Sequence, residues 1–170
     1  RPEFNAALLI GGLAAGLLGA RAMLPLLNAQ TFLFREGDRP AMAWIHDNVP
    51  AGETVLVNPF AWGYGLYAGQ DGGYWISSLA GHPTFPPPVI YGVGNDIEEI
   101  RRVTELSRRI TETGRDPDEL HALLLENGIE YVYTGVRGGA IYSRALAESP
   151  LYEALYAGEG AWVFRVLPGG

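Results

Sequence analysis

Residues 4–20 read FNAALLIGGLAAGLLGA, an uncharged run whose single polar side chain is Asn5. As a helix rising about 1.5 Å per residue it would be ~26 Å long, close to the hydrocarbon thickness of a bilayer. Gly12 and Gly16 form a GxxxG pair, and Gly11, Ala15 and Gly19 form a second stripe of small residues. Both stripes allow another helix to approach closely in lipid. Glycine costs about 1 kcal/mol in a water-exposed helix but is common in membrane helices. Arg21, just beyond the run, is placed to reach the polar interface with its long stem. The segment is read as a membrane-spanning or membrane-proximal helix over residues 1–30, against a buried core helix or a signal-peptide remnant. No comparable run follows, so residues 31–170 are expected to form a soluble domain. Arg1 at the first position suggests a longer parent chain.

The soluble part is large enough to bury a core without covalent staples, and with no cysteine it has no disulfides, thiolate metal sites or thiol nucleophile. The twelve basic residues of the whole chain are all arginine, and its nineteen acidic residues bring the net charge to −7. That balance repels phosphate backbones, so nucleic acid is not expected as a partner.

Local signals describe an α/β fold. Asp38 as N-cap with Pro40 in the first turn opens a helix through AMAWIHDN, which Pro50 and Gly52 stop. TVLVN at 54–58 has the unbroken apolar character of a strand covered on both faces and is taken as the sheet centre. YWISSLA at 74–80, after the Asp71-Gly72-Gly73 turn, is read as a second strand. A long amphipathic helix follows, with Asn95 as N-cap, apolar residues at 97, 100, 103, 106 and 110, and Gly114 at its end. DPDELHALLLENG repeats that grammar, with Asp116 capping, Pro117 in the first turn, Glu119 completing the box and Gly128 terminating. IEYVYTG is a strand. Alternation through Tyr152, Ala154 and Tyr156, then Glu159 between glycines, then an apolar run at 161–167, predicts an antiparallel hairpin. The expected fold is therefore a small mixed sheet, mostly parallel with a C-terminal antiparallel hairpin, covered by helices and preceded by the apolar helix.

Candidate chemistry is sparse. Gly63, Gly65 and Ala68 match GxGxxA, but too far after the strand for a dinucleotide turn and with no helix opening behind them. His46, His82 and His121 have no metal-ligand or triad spacing, and no cofactor or metal is expected. His121 is read as a surface or boundary residue. The arginines of the long helix alternate with glutamates, which describes a solvated face. The stretch from Phe60 to Gly94 is different, being rich in aromatics and glycine with Asp71 as its one formal charge. Two readings of it stand side by side. Trp62, Tyr64, Tyr74 and Trp75 can stack on sugar rings with Asp71 and His82 hydrogen-bonding hydroxyls, or the same rings can plug the end of a small sheet, with Pro86, Pro87 and Pro88 as a stiff crossover. For a small hydrolase or transferase, the groups to inspect are Ser77, Ser78, His46 and His82.

AWIHDNVPAGETVLVN, DGGYWISSLAGHPTFPP, IEYVYTG and SPLYEALYAGEGAWVFRV occur in that order across residues 40–167. This succession resembles the C-terminal extracytoplasmic domain of bacterial GT-C glycosyltransferases, the polytopic membrane proteins related to dolichyl-phosphate-mannose-protein mannosyltransferases and aminoarabinose transferases. The resemblance implies that the apolar segment at 4–27 is the last membrane helix. It also implies that catalysis, with a polyprenyl-phosphate sugar as donor, resides in acidic loops upstream that have no counterpart here. No catalytic residue is carried over. The domain would then be non-catalytic and extracytoplasmic at the cell membrane, capping the upstream membrane portion and assisting acceptor binding. Its expected partners are that portion, lipid, and a glycan or polyprenyl-linked sugar. The rival readings are a membrane-anchored carbohydrate-binding or sensor module, and the small α/β enzyme.

Overall fold

The computed structural model describes residues 2–26, 31–94 and 96–169, and the chain divides into two compact units, Arg1–Phe32 and Leu33–Gly170. In the first, helix α1 (Pro2–Met23) is followed by a 3-10 turn at Leu24–Leu26. Leu8, Leu9, Ile10, Leu13, Leu17 and Leu18 all stand exposed. The helix from Asn5 to Met23 is long and apolar enough to cross a membrane, and none of it is buried.

The second unit has the mixed α/β architecture. Helix α2 (Asp38–Asn48) leads to strand β1 (Val55–Leu56) and the antiparallel hairpin β2 (Pro59–Gly63) and β3 (Leu66–Gly69). A 3-10 turn at Gly72–Trp75, the short helix α3 (Ile76–Leu79), strand β4 (Thr84–Phe85) and a second 3-10 turn at Val89–Val93 follow. Helices α4 (Ile97–Thr113) and α5 (Pro117–Glu126), strand β5 (Tyr131–Thr134), helix α6 (Ser143–Glu148), and strands β6 (Tyr152–Gly158) and β7 (Ala161–Val166) complete it. The main sheet has the order β4-β1-β5-β7-β6. β1 pairs in parallel with β4 and β5, and β7 is antiparallel to β5 and β6. The β6–β7 connection is a two-residue turn in which Glu159 and Gly160 both have positive φ, 51° and 87°. That geometry matches the twist of paired strands.

Side chains alternate across this sheet and build two cores. Leu56, Val132, Phe164 and Val166 face α4 and α5, where Val103, Leu106, Ile110, Leu120, Leu123 and Leu124 close over them together with Ile141 and Leu146. Val55, Val57, Tyr131, Tyr133 and Val163 face the other way, onto Ala41, Met42 and Ile45 of α2 and onto Ile76 and Ala80. Each large side chain so buried contributes about 1.5–3 kcal/mol of transfer free energy. Helices on both faces make a three-layer unit.

Several local expectations are corrected. The middle strand is β5 and not the segment at 54–58, which supplies the short β1 beside it. YWISSLA is helical. The Asp71 side chain accepts the Gly73 N–H and starts a 3-10 turn, and Ile76 and Ala80, four apart, are the buried positions while Trp75 and Leu79 are exposed. That is helix spacing, and the neighbouring parallel strand is β4 instead. Gly37 occupies the N-cap position of α2, because the Asp38 carboxylate points into the interior. Asn95, expected to cap α4, lies outside the described residues, and Asp96 does the capping by accepting the Glu98 and Glu99 N–H groups. Asp116 caps α5 with Pro117 in its first turn, as expected. His121 is buried, its Nε2 2.7 Å from the Leu167 carbonyl, because the C-terminal segment folds back over α5.

Candidate functional site

The parallel strands β1 and β5 end side by side, and chain order reverses at β1, with β4 on one flank and β5 on the other. Crevices at such reversals are where open α/β sheets commonly hold ligands. Here the position is filled by the protein itself. Asn58, two residues past β1, donates from Nδ2 to Asp71 Oδ2 at 2.7 Å and accepts the Ile141 N–H on Oδ1 at 2.8 Å. Asp71 also accepts the Gly135 N–H at 2.7 Å and the Gly73 N–H at 3.0 Å. Asp38 receives the Tyr133 hydroxyl at 2.7 Å, the Val136 N–H at 2.9 Å and the Arg35 N–H at 2.6 Å.

Asp38, Asn58 and Asp71 are fully buried. Isolated carboxylates are very costly to bury, and three donors to each make these tolerable. Burial nevertheless pushes the Asp71 carboxyl up to about 6, with the Asn58, Gly135 and Gly73 donors pulling it down and the nearby Asp38 adding to the rise. The Tyr133 hydroxyl is raised far above its ordinary value by burial and by the charges of Asp71 and Asp38, so it remains a donor.

Glycines close the space around this network. A Cβ on Gly72 would lie 2.6 Å from Asp38 Cγ, one on Gly73 2.6 Å from Val57 Cβ, and one on Gly139 2.5 Å from Asn58 Cγ. Each carboxylate meets three internal donors and is fully buried, so neither is presented to a substrate in solvent. The chemistry of this cluster is structural, tying α2, the Asp71 turn and the loop after β5 to the sheet end.

Of the six residues of the sugar-platform reading, Asp71 and His82 are buried and the four aromatics are at least partly exposed. Asp71 belongs to the closed network, and His82 is buried with its Nδ1 unpartnered. Trp62 packs edge-on against Phe60, and Tyr64 projects from the β2–β3 turn. Tyr74 and Trp75 contact each other edge-to-face at 5.6 Å, with Trp75 partly exposed. Gly63 and Gly65 belong to the hairpin turn, where both have positive φ. His46 Nδ1 lies 3.2 Å from the Ala80 carbonyl. Among the described residues no serine–histidine hydrogen bond forms, and no group of three metal-ligating side chains is assembled.

Sequence reasoning did not single out Asn58, Asp38 as an interior acceptor, Tyr133 or Gly135. The signal for Asn58 was an amide closing an apolar run, and for Tyr133 a hydroxyl within a strand buried on both faces; both need a partner. Beside the network lies an open cleft of about 340 Å³ lined by Arg137, Gly139, Ile141, Tyr142 and Arg144. Its two arginines are engaged, Arg137 donating to the Gln70 carbonyl and Arg144 pairing with Glu148 at 3.0 Å, and the Tyr142 ring is covered by Arg115 from outside the lining.

No family model, curated protein or solved structure matches the chain.

Proposed function

We propose that the chain contributes a membrane anchor and a non-catalytic, extracytoplasmic α/β domain to a membrane-embedded glycosyltransferase that uses a polyprenyl-phosphate sugar donor. The observation that carries the reading is α1, apolar and exposed along its length, joined to a unit that completes its own cores without it. The buried, internally hydrogen-bonded carboxylates at the sheet end support a domain that holds shape and leaves chemistry to another part of the protein. The glycosyltransferase assignment rests on the ordered resemblance over residues 40–167.

The absence of cysteine makes the topology simple to test. A Ser78→Cys variant, at an exposed position, is labelled with a membrane-impermeant maleimide in cells whose outer barrier is opened. Labelling before lysis of the inner membrane supports the extracytoplasmic side, and labelling only after lysis refutes it. Transfer from a labelled polyprenyl-phosphate sugar by the parent enzyme should weaken when residues 33–170 are deleted, whereas the chain alone should transfer none. The edge-to-face Tyr74–Trp75 pair favours carbohydrate binding as a second reading. Oligosaccharides that shift tryptophan emission in the wild type and not in Trp75→Ala would support it.

A further inference from the structure

Between Glu53 and Asp96 the sequence carries one formal charge, Asp71, and it is buried. The surface built by this stretch therefore has no exposed carboxylate or guanidinium, in a chain otherwise rich in both. It exposes large apolar groups instead. Tyr64 is fully exposed, Val93 is 81%, Ile90 74% and Trp62 55% exposed, and Ile97 at the start of α4 adjoins them at 62%.

Specific contacts hold these groups on one edge. The Tyr67 N–H donates to Tyr91 Oη at 2.9 Å, joining β3 to the 3-10 turn at Val89–Val93. Gly92 lies so close to the Leu66 side chain that a Cβ would collide with it. Thr104 of α4 donates to the Gly65 carbonyl at 2.9 Å, fixing the hairpin turn against the helix. Tyr64 and Trp62 are thus carried on a braced support.

We propose that this edge, with Tyr64 and Trp62 on the hairpin and Ile90, Val93 and Ile97 beside it, inserts shallowly into the interface of an electrically neutral lipid bilayer. The inference rests on the reading of α1 as a membrane anchor. Residues 24–32 join α1 to the second unit, a link that spans at most about 30 Å even when fully extended. A tether of that length keeps the second unit at high effective concentration near the same bilayer. Tryptophan and tyrosine with flanking aliphatic groups favour the headgroup boundary. With Asp96, Glu98 and Glu99 following directly and no arginine on the stretch, anionic lipid would not attract it. A sugar is a poorer occupant, because the Trp62 ring already rests edge-on against Phe60.

The test uses the full chain in phosphatidylcholine vesicles, with an environment-sensitive fluorophore on Tyr64→Cys, Val93→Cys or, as control, Glu126→Cys. At 64 and 93 the emission should shift to the blue and be quenched by spin-labelled phosphatidylcholine, and at 126 it should do neither. Tyr64→Asp combined with Val93→Asp should lower the docked population roughly tenfold or more. These side chains are exposed, so the thermal transition should be unchanged. Vesicle flotation with a water-like, unquenched label at 64 and 93 overturns this proposal and leaves the anchor standing. Failure to float overturns both. A blue shift without lipid quenching that grows with protein concentration identifies a second copy as the occupant and also overturns it.

Discussion

Replacing Asp71 by asparagine separates burial from hydrogen bonding as the controlling influence at the sheet end. In the folded chain Asp71 takes up its proton near pH 6, against an ordinary value of 3.8. That gap is equivalent to about 3 kcal/mol of coupling between protonation and folding. Its sign follows from the direction of the shift. Below 3.8 the group is protonated in both states and its contribution to stability is complete. As pH rises the unfolded chain ionises first, and by about pH 6 the folded chain must hold a buried charge, so the contribution is lost across that window. The amide that replaces the carboxyl cannot titrate. The difference in unfolding free energy between pH 4 and pH 7 should therefore be smaller in Asp71→Asn than in the wild type by about 2 kcal/mol, since the unfolded chain is already partly ionised at pH 4. At pH 7 alone the comparison is blunt. The amide NH2 must oppose a donor, leaving a group unpaired at about 1–3 kcal/mol, while removal of the buried charge offsets it. Asn58 cannot turn to help, because its carbonyl oxygen accepts the Ile141 N–H. The assay is urea unfolding followed by tryptophan fluorescence at pH 4, 5, 6 and 7 in one detergent. Parallel profiles for the two proteins would refute the reasoning and show that the N–H donors to Asp71 outweigh its burial.

Asn58→Ala removes a donor to Asp71 and strands the buried Ile141 N–H, and should lower the unfolding free energy by about 3–5 kcal/mol, read from the urea midpoint at unchanged slope. Tyr133→Phe deletes only the hydroxyl donated to Asp38 at 2.7 Å. A loss of about 1.5–3 kcal/mol is expected, and a variant as stable as wild type would show that the backbone donors suffice. Phe164→Ala empties a fully buried position that also stacks on Trp162 at 5.7 Å. It should cost about 3–5 kcal/mol and lower the thermal midpoint in calorimetry more than Tyr133→Phe does.

The elements that sequence alone described correctly are those whose chemistry is local. Asp116 and Pro117 begin α5 because an acceptor side chain and a missing N–H both suit a helix start. The long helix follows from Val103, Leu106 and Ile110 sharing a face, and the closing hairpin from its turn and its alternation. YWISSLA went the other way for a non-local reason. Its residues favour a strand, but Val57 and Asp38 pack against Gly73 and Gly72, leaving a tight turn as the geometry that fits. Asp38 read as a cap because Pro40 follows it; two of its three donors are 95 and 98 residues away. At the candidate site the stretch from Phe60 to Gly94 stood out, yet its division into buried network and exposed edge depends on which side chains the sheet end encloses. No spacing in the sequence expresses that.

The polar knot also imposes an order of events on a chain made from one end to the other. Asp38 and Asp71 leave the ribosome long before Tyr133, Gly135 and Val136, the donors that they await. β5 meets its antiparallel neighbour only once residues 161–166 have been synthesised. The nascent domain must therefore keep two carboxylates hydrated at a half-built sheet end until late in translation. Assembly from the first helix onward is closed to it, and the last third of the polypeptide acts as the latch.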